Sequence, residues 1–168
     1  MNAVFTTARY RTGMATLTLR PEIAEKLPQA TRERVAKLAN WKLSSASRRA
    51  QRDFGWTGSQ RRAAELAYRR FLALIAIDRE GTFGMVQGPV DAVWHSHILD
   101  TMDYERMCRE VFGSMVHHCP RDGSGKGQDG SAYKDKTLPA LRRVFGVRAG
   151  RMWPVDAAAD ATSKCCGH

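Results

Sequence analysis

Apolar residues recur every three or four positions along residues 59–77, and this is the clearest hydrophobic pattern in the chain. Such a spacing places the side chains on one face of an α-helix. Glu65 and Arg69 lie four residues apart and add an ion pair that supports the same helix. Ser59 is expected to cap its N-terminus, and residues 78–81 are expected to end it. The apolar positions are Ala63, Ala64, Ala67, Tyr68, Phe71, Leu72, Leu74 and Ile75.

Weaker patterns of the same kind predict further helices on both sides of this one. Thr31 is expected to cap a helix that continues to about residue 39. Residues 90–99 form a short helix, and a second helix, capped by Asp100, follows it and ends at Gly113. A last short helix covers residues 138–145. The chain is therefore predicted to be mainly α.

We expect one compact helical domain over residues 31–154, because 168 residues can form one hydrophobic core but not two of ordinary size. An irregular leader covers residues 1–30, and Met14 is an alternative start. A flexible tail covers residues 155–168. Within the domain, the glycine-rich stretch 121–136 is predicted to be a mobile loop.

The hydrophobic runs are too short for a membrane-spanning helix. The most apolar run, residues 71–77, is much shorter than the roughly 18 residues that such a helix needs. The chain has only 4 cysteines, which favours a reducing cytoplasm over a disulfide-stabilised scaffold. Cys165 and Cys166 are adjacent in the tail, where they could bind a metal, undergo oxidation or carry no chemistry.

The net charge of +10 is concentrated in the first 70 residues, which hold 15 basic and 5 acidic side chains. Aromatic residues are interleaved with the arginines of this region. Basic groups neutralise phosphates and aromatic rings stack on bases, so the region is predicted to bind nucleic acid or an acidic protein partner. A solvated basic surface is the alternative. The predicted contacts are Arg48, Arg49, Arg61, Arg62, Arg69 and Arg70.

Four of the five histidines lie between residues 89 and 119, together with two cysteines. Imidazole, thiolate and carboxylate are the groups that bind Zn²⁺ in proteins. We therefore predict a metal site in this segment, with Zn²⁺ favoured. Its expected ligands are His95, His97, His118, Asp91 and Cys108.

Helical geometry separates two of these histidines. Residues two apart on a helix point about 200° away from each other, so His95 and His97 would not bind one ion together from a regular helix. On a strand or an irregular turn they would share a face and could act together. His97 shares the buried stripe, whereas His95 lies on the same face as Asp91. The site would then be completed by His118, which the chain can bring back after the helical hairpin 90–113.

Three other interpretations of the histidine segment stay open. The histidines can belong to a purely structural polar network, with the basic region carrying the function. Cys108 can pair with a histidine as a nucleophile. A bound metal can also activate water, as in a metal-dependent hydrolase. The sequence does not decide whether the chain is an enzyme, and it gives no oligomeric state.

Residues 90–100 read Val-Asp-Ala-Val-Trp-His-Ser-His-Ile-Leu-Asp, and this motif resembles one of the glycine-rich domain-containing protein-like family. The resemblance covers about residues 60–154, and it implies one compact domain centred on the Trp-His-x-His segment. It implies no substrate, since the activity of that family is not established. The matching positions are Val90, Asp91, Val93, Trp94, His95, His97, Leu99, Asp100, Tyr104, Cys108, Phe112, Gly113, His118 and Pro120.

Overall fold

The computed structural model describes residues 17–86, 88–119, 132–146 and 162–165. Seven α-helices lie in these ranges, so the prediction of a mainly helical chain is confirmed. Two π-helical turns adjoin them: Cys108–Phe112 continues α6, and Ala132–Thr137 leads into α7. The helices are α1 (Pro21–Ala24), α2 (Gln29–Asn40), α3 (Ser44–Phe54), α4 (Gly58–Ile77), α5 (Pro89–Ile98), α6 (Thr101–Met107) and α7 (Leu138–Phe145).

Helix α4 lies at the centre of the core, where it packs against α2, α3, α5 and α7. Its apolar stripe supplies Tyr68, Phe71 and Leu72, all fully buried. Trp94 of α5 is also fully buried, and its ring centroid lies 5.3 Å from that of Phe71. Large aromatic side chains contribute much of the apolar area removed from water, so this contact holds α5 against the centre of the domain.

Helix α3 was not predicted as a helix, and the sequence between residues 44 and 54 was interpreted only as a basic stretch. Its buried positions are small: Ala46, Ser47 and Ala50. Alanine and serine give a weak hydrophobic signal, although they let helices approach closely. The buried face packs against α4 and α5, and the arginines of the helix occupy exposed positions.

Two predicted helix caps were wrong. Helix α4 begins two residues earlier than expected, because Thr57 and Gln60 form a reciprocal capping box. The backbone amide of Gln60 donates to the Thr57 hydroxyl at 3.2 Å, and the backbone amide of Thr57 donates to the side-chain oxygen of Gln60 at 2.8 Å. Helix α2 begins at Gln29 after Pro28, so Thr31 is buried inside its first turn.

The other predicted helix ends agree more closely with the structure. Asp100 precedes α6 as predicted, but its side chain forms no capping hydrogen bond. Gly113 and Gly146 follow the helices that they were expected to end, with φ of 77° and 91°. Such positive φ angles are favourable for glycine because it lacks a Cβ atom.

Three short strands form an antiparallel sheet beside the helices: β1 (Gly84–Val86), β2 (His118–Cys119) and β3 (Thr162–Cys165), with β3 in the middle. Strand β3 falls within the predicted tail. The predicted leader up to residue 16, most of the glycine-rich loop and the rest of the tail lie outside the described residues. The proposed domain boundaries therefore stay a prediction.

None of the helices in the described ranges is both long and apolar enough to cross a lipid bilayer.

Candidate metal centre

Helix α5 positions two side chains of the candidate centre. Asp91 and His95 are four residues apart, so they lie on the same face, one turn from each other. The carboxylate is 8% exposed, whereas the imidazole of His95 is 52% exposed. The Asp91 Oδ2 atom lies 3.6 Å from Nδ1 of His95. This face of α5 is thus buried at its first turn and open to solvent one turn later.

His118 reaches the same place from β2, 27 residues after Asp91. The returning chain is held by Tyr104 of α6, whose hydroxyl donates a hydrogen bond to the carbonyl of Val116. The Trp94 indole donates to the same Tyr104 hydroxyl at 3.0 Å. Buried polar atoms on Trp94 and Tyr104 therefore fix the path of the segment that carries His118.

The imidazole of His118 is 4% exposed and lies against three side chains of α5. Its Nε2 donates a hydrogen bond to Oδ1 of Asp91 at 2.8 Å. Its ring centroid is 4.5 Å from that of His95 and 4.3 Å from that of Trp94. The side chain is thus placed between the carboxylate, the exposed histidine and an apolar wall.

Asp91, His95 and His118 each place a ligand atom within 4.8 Å of the other two. Three ligands around a Zn²⁺ ion with bonds of about 2.1 Å are separated by about 3.4 Å. The observed separations of 2.8 and 3.6 Å bracket that value. These two distances run from the two different carboxylate oxygens of Asp91. Among the described residues, the chemistry and placement of these donors fit a metal.

His97 lies elsewhere, although it was predicted as a ligand. It is buried, with Nδ1 at 3.0 Å from the Tyr68 hydroxyl and Nε2 at 3.0 Å from Oδ2 of Asp103. A carboxylate only accepts hydrogen bonds, so Nε2 donates to Asp103 and Nδ1 accepts from Tyr68. Both ring nitrogens are thereby occupied by protein groups, and the structure does not bring His97 into the centre.

The surroundings of His97 favour its neutral form. Burial lowers the pKa of His97, although the hydrogen bond and the charge of Asp103 oppose that effect. Burial alone would raise the pKa of Asp103, but hydrogen bonds from Arg106, Trp41 and His97 outweigh it and hold that pKa below its usual value. A neutral imidazole and an ionised carboxylate thus form a satisfied polar network among α2, α4, α5 and α6.

Cys108 also lies apart from the three converging residues. It is buried, and its Sγ accepts a hydrogen bond from the amide of Val116 at 3.5 Å. Burial raises the pKa of the Cys108 thiol. Since the thiolate is the reactive form, this environment disfavours the proposed cysteine nucleophile.

The six predicted arginines do not share one environment. Arg61 and Arg69 contact opposite oxygens of the buried Glu65, at 3.2 and 3.0 Å. Arg69 is itself buried and donates to the carbonyls of Leu38 and Trp41 at the end of α2. It therefore has a structural role. Arg70 is half-buried over the ring of Phe145, whereas Arg48, Arg49 and Arg62 are exposed.

Tyr104 is the residue of the centre whose role was not predicted. In the sequence it is only part of a hydrophobic face and of the family resemblance. A tyrosine on an apolar helix face is typical of core packing, and its hydroxyl partners lie on other elements. Only the folded arrangement reveals that it ties the His118 segment to Trp94.

A family model described as UCP032817-like matches residues 23–146, which is well over half of the chain. The resemblance to the glycine-rich domain-containing protein-like family was wrong, because the matching model is a different one. The match also begins upstream of the expected stretch of residues 60–154, so it includes α2 and α3. No curated protein and no solved structure matches the chain.

Proposed function

We propose that this chain, which belongs to the UCP032817-like family, binds one divalent transition-metal ion through Asp91, His95 and His118. The observation that supports the proposal is the convergence of these three donors from α5 and β2. In this proposal, His97 and Cys108 are structural residues and not ligands.

Zn²⁺ is the favoured ion because of the donor set. Two imidazole nitrogens and one carboxylate oxygen are ligands that Zn²⁺ accepts, and three protein ligands leave a coordination position for water. The same set also suits Fe²⁺ and other first-row ions, so the identity of the metal is decided by measurement. Binding would displace the proton that Nε2 of His118 shares with Asp91.

The exposure of His95 explains how an ion would enter. Asp91 and His118 are nearly buried, whereas about half of the His95 side chain contacts solvent. An ion arriving from solvent would meet His95 first and then the preformed Asp91–His118 pair. A bound ion would supply a site for water or a substrate oxygen, and the solvent-exposed His95 gives access to it.

The test is metal analysis of the purified full chain, followed by calorimetric titration of chelator-treated protein with Zn²⁺, Mn²⁺, Ni²⁺ and anaerobic Fe²⁺. We expect one ion per chain. Replacing a ligand should weaken binding by at least about 100-fold, since even changes around a ligand cost 10- to 100-fold. The variants are His95→Ala, His118→Gln and Asp91→Asn.

His117→Ala is the matched control, because it removes an exposed histidine directly beside a proposed ligand. It should leave the affinity within about twofold of the parent. A parent chain that binds none of the four ions would refute the proposal. So would unchanged affinity in folded His95→Ala and His118→Gln proteins, with folding verified by circular dichroism.

The metal-dependent hydrolase hypothesis depends on the same centre. Its supporting observation is the exposed side of the ion site at His95, where a metal-bound water would be accessible. Zn²⁺-loaded protein is assayed with a p-nitrophenyl ester and with bis-p-nitrophenyl phosphate. Hydrolysis of either that disappears in His95→Ala would support this hypothesis. Equal rates in the parent and the variant would reject it.

A further inference from the structure

A cleft of about 510 Å³ lies between α3 and α5, apart from the metal centre. None of the three proposed metal ligands lines it. Its volume is within the range of roughly 300–1,000 Å³ that small-molecule sites occupy. The polar residues that line it are Ser44, Ser45, Arg48, Arg49, Arg52, Ser96 and Asp100.

Three arginines give the cleft a strong positive charge. Arg48, Arg49 and Arg52 are exposed, and within the described part of the chain none of them forms an ion pair. They differ in this respect from Arg61 and Arg69, which are paired with Glu65. Guanidinium groups that project from one helix into one cleft can donate several hydrogen bonds to the oxygens of a phosphate.

The first turn of α3 adds to this potential. Ser44 begins the helix and lines the cleft, and no side chain caps that end of α3. Backbone amides in a first helical turn have no partner within the helix, and the helix dipole places partial positive charge there. An anion in the cleft would therefore be attracted by amides as well as by the arginines.

Ser96 of α5 adds a hydroxyl to the same cleft. It is only 6% exposed, it lines the cleft, and among the described residues its hydroxyl has no hydrogen-bond partner. The buried Ser47 differs: its hydroxyl donates to Glu65 at 2.7 Å and accepts from Arg61 at 3.0 Å. The Ser96 hydroxyl is not one of the buried polar atoms that lack a partner, so it is accessible from the cleft and can hydrogen-bond to water or to a polar ligand there.

Asp100 determines what kind of anion fits. Its carboxylate lines the same cleft and would repel an anion that carried charge over its whole surface. It would instead accept hydrogen bonds from hydroxyl groups on the uncharged part of a ligand. The arginines and Asp100 together suit a molecule with a phosphate at one end and hydroxyls at the other.

We propose that the cleft between α3 and α5 binds a small hydroxylated phosphate monoester of the sugar-phosphate class. Arg48, Arg49 and Arg52 would hold the phosphate, Ser96 would hydrogen-bond to it, and Asp100 would accept from a sugar hydroxyl. A nucleic acid is the less favoured ligand. Of the arginines beyond this cleft, Arg61 and Arg69 contact Glu65, and Asp100 interrupts the basic surface.

The experiment is calorimetric titration of the full chain with ribose 5-phosphate, inorganic phosphate and ribose, each up to about 10 mM. We expect ribose 5-phosphate to bind more tightly than phosphate, and ribose not to bind. Arg48→Ala, Arg52→Ala and Ser96→Ala should each weaken binding by about 10-fold or more. Asp100→Asn should reduce the preference for ribose 5-phosphate over phosphate.

Two controls separate this site from general charge and from the metal centre. Arg32→Ala removes an exposed arginine from α2 that does not line the cleft, and it should leave binding unchanged. Binding should also persist in His95→Ala, which excludes a phosphate bound to a metal ion.

Three results would overturn the proposal. One is no binding of ribose 5-phosphate. Another is an equal loss of affinity for ribose 5-phosphate in Arg32→Ala and Arg48→Ala. The third is tighter binding of a single-stranded oligonucleotide that depends on Arg62 as strongly as on Arg48, which would indicate a nucleic-acid surface.

Discussion

Helix α5 carries two histidines, two residues apart, that lie in opposite kinds of environment. His97 is buried, and both of its ring nitrogens are bonded within the protein, to Tyr68 and Asp103. His95 is half exposed, its Nδ1 lies 3.6 Å from Oδ2 of Asp91, and its ring lies beside that of His118. The first centre is closed by the fold, and the second is open to solvent.

This contrast shows that a cluster of histidines in a sequence does not make one site. The closed centre connects α4, α5 and α6, and its partners are satisfied without any ligand. The open centre keeps coordinating atoms where an ion can reach them. A stability measurement should therefore detect changes in the first centre, and a binding measurement should detect changes in the second.

The largest effect is expected for His97→Ala. The change leaves a cavity and removes two buried hydrogen bonds, so the free energy of unfolding should fall by about 3 kcal/mol. Urea denaturation followed by tryptophan fluorescence measures it, with His117→Ala as the exposed control. A loss below about 1 kcal/mol would show that the His97 network is not a closed structural centre.

Metal binding should stabilise the chain through the open centre alone. With free Zn²⁺ at 100 times its dissociation constant, the free energy of unfolding should rise by about 2.7 kcal/mol. The gain should appear in the parent and in His117→Ala, but not in His95→Ala at the same Zn²⁺ concentration. If His95→Ala gains as much as the parent, the ion binds at another place.

Lowering the pH should decrease the free energy of unfolding through His97 of the closed centre. Because the pKa of His97 is lowered from its ordinary 6.5, the unfolded chain binds more protons below that pH, and stability is lost as pH falls. The free energy of unfolding should fall through this residue by at most about 1.4 kcal/mol per pH unit. The pKa of Asp103 is lowered from its ordinary value of 3.8. The stability that Asp103 contributes therefore persists until the pH falls below that value.

The measurement is the free energy of unfolding between about pH 7.5 and 5 in the presence of a chelator, for the parent and for His97→Gln. The difference between the two proteins should shrink as pH decreases. Parallel curves would mean that His97 does not remain neutral in the folded state.

The smallest effect is expected for His95→Ala in metal-free protein. Half of the side chain contacts solvent, and its closest described ion-pair distance, to Asp91, is 3.6 Å. Surface changes of this kind usually alter stability by no more than about 0.5 kcal/mol. The same denaturation experiment tests this. A loss comparable to that of His97→Ala would remove the distinction between the two centres.

The helices could be predicted where an apolar stripe marked them. The pattern of α4 and the glycine after α7 gave the positions of those helices to within a residue or two. Helix α3 was missed because its buried face consists of alanine and serine, which resemble exposed residues in a pattern of this kind. The cap of α4 was misplaced because two residues in the same loop, Thr57 and Ser59, are both good capping residues.

The ingredients of the candidate site were predictable, and helical geometry already placed His97 on a different face from Asp91 and His95. The five predicted ligands included Asp91, His95 and His118, together with His97 and Cys108. The structure separates them because the latter two face the core, where Tyr68, Asp103 and the amide of Val116 are their partners. Those partners belong to other elements, and no local spacing in the chain indicates them.

Only local features can be derived from the chain alone: a mainly helical architecture, and two residues, Asp91 and His95, on one face of α5. These features depend on hydrogen bonds and side-chain directions within a few residues. The folded structure decided that His118 joins them and that His97 does not. It also placed the arginines of α3 across a cleft from Ser96 and Asp100. Such contacts join distant residues, and only the packing of the helices against one core determines which side chains meet.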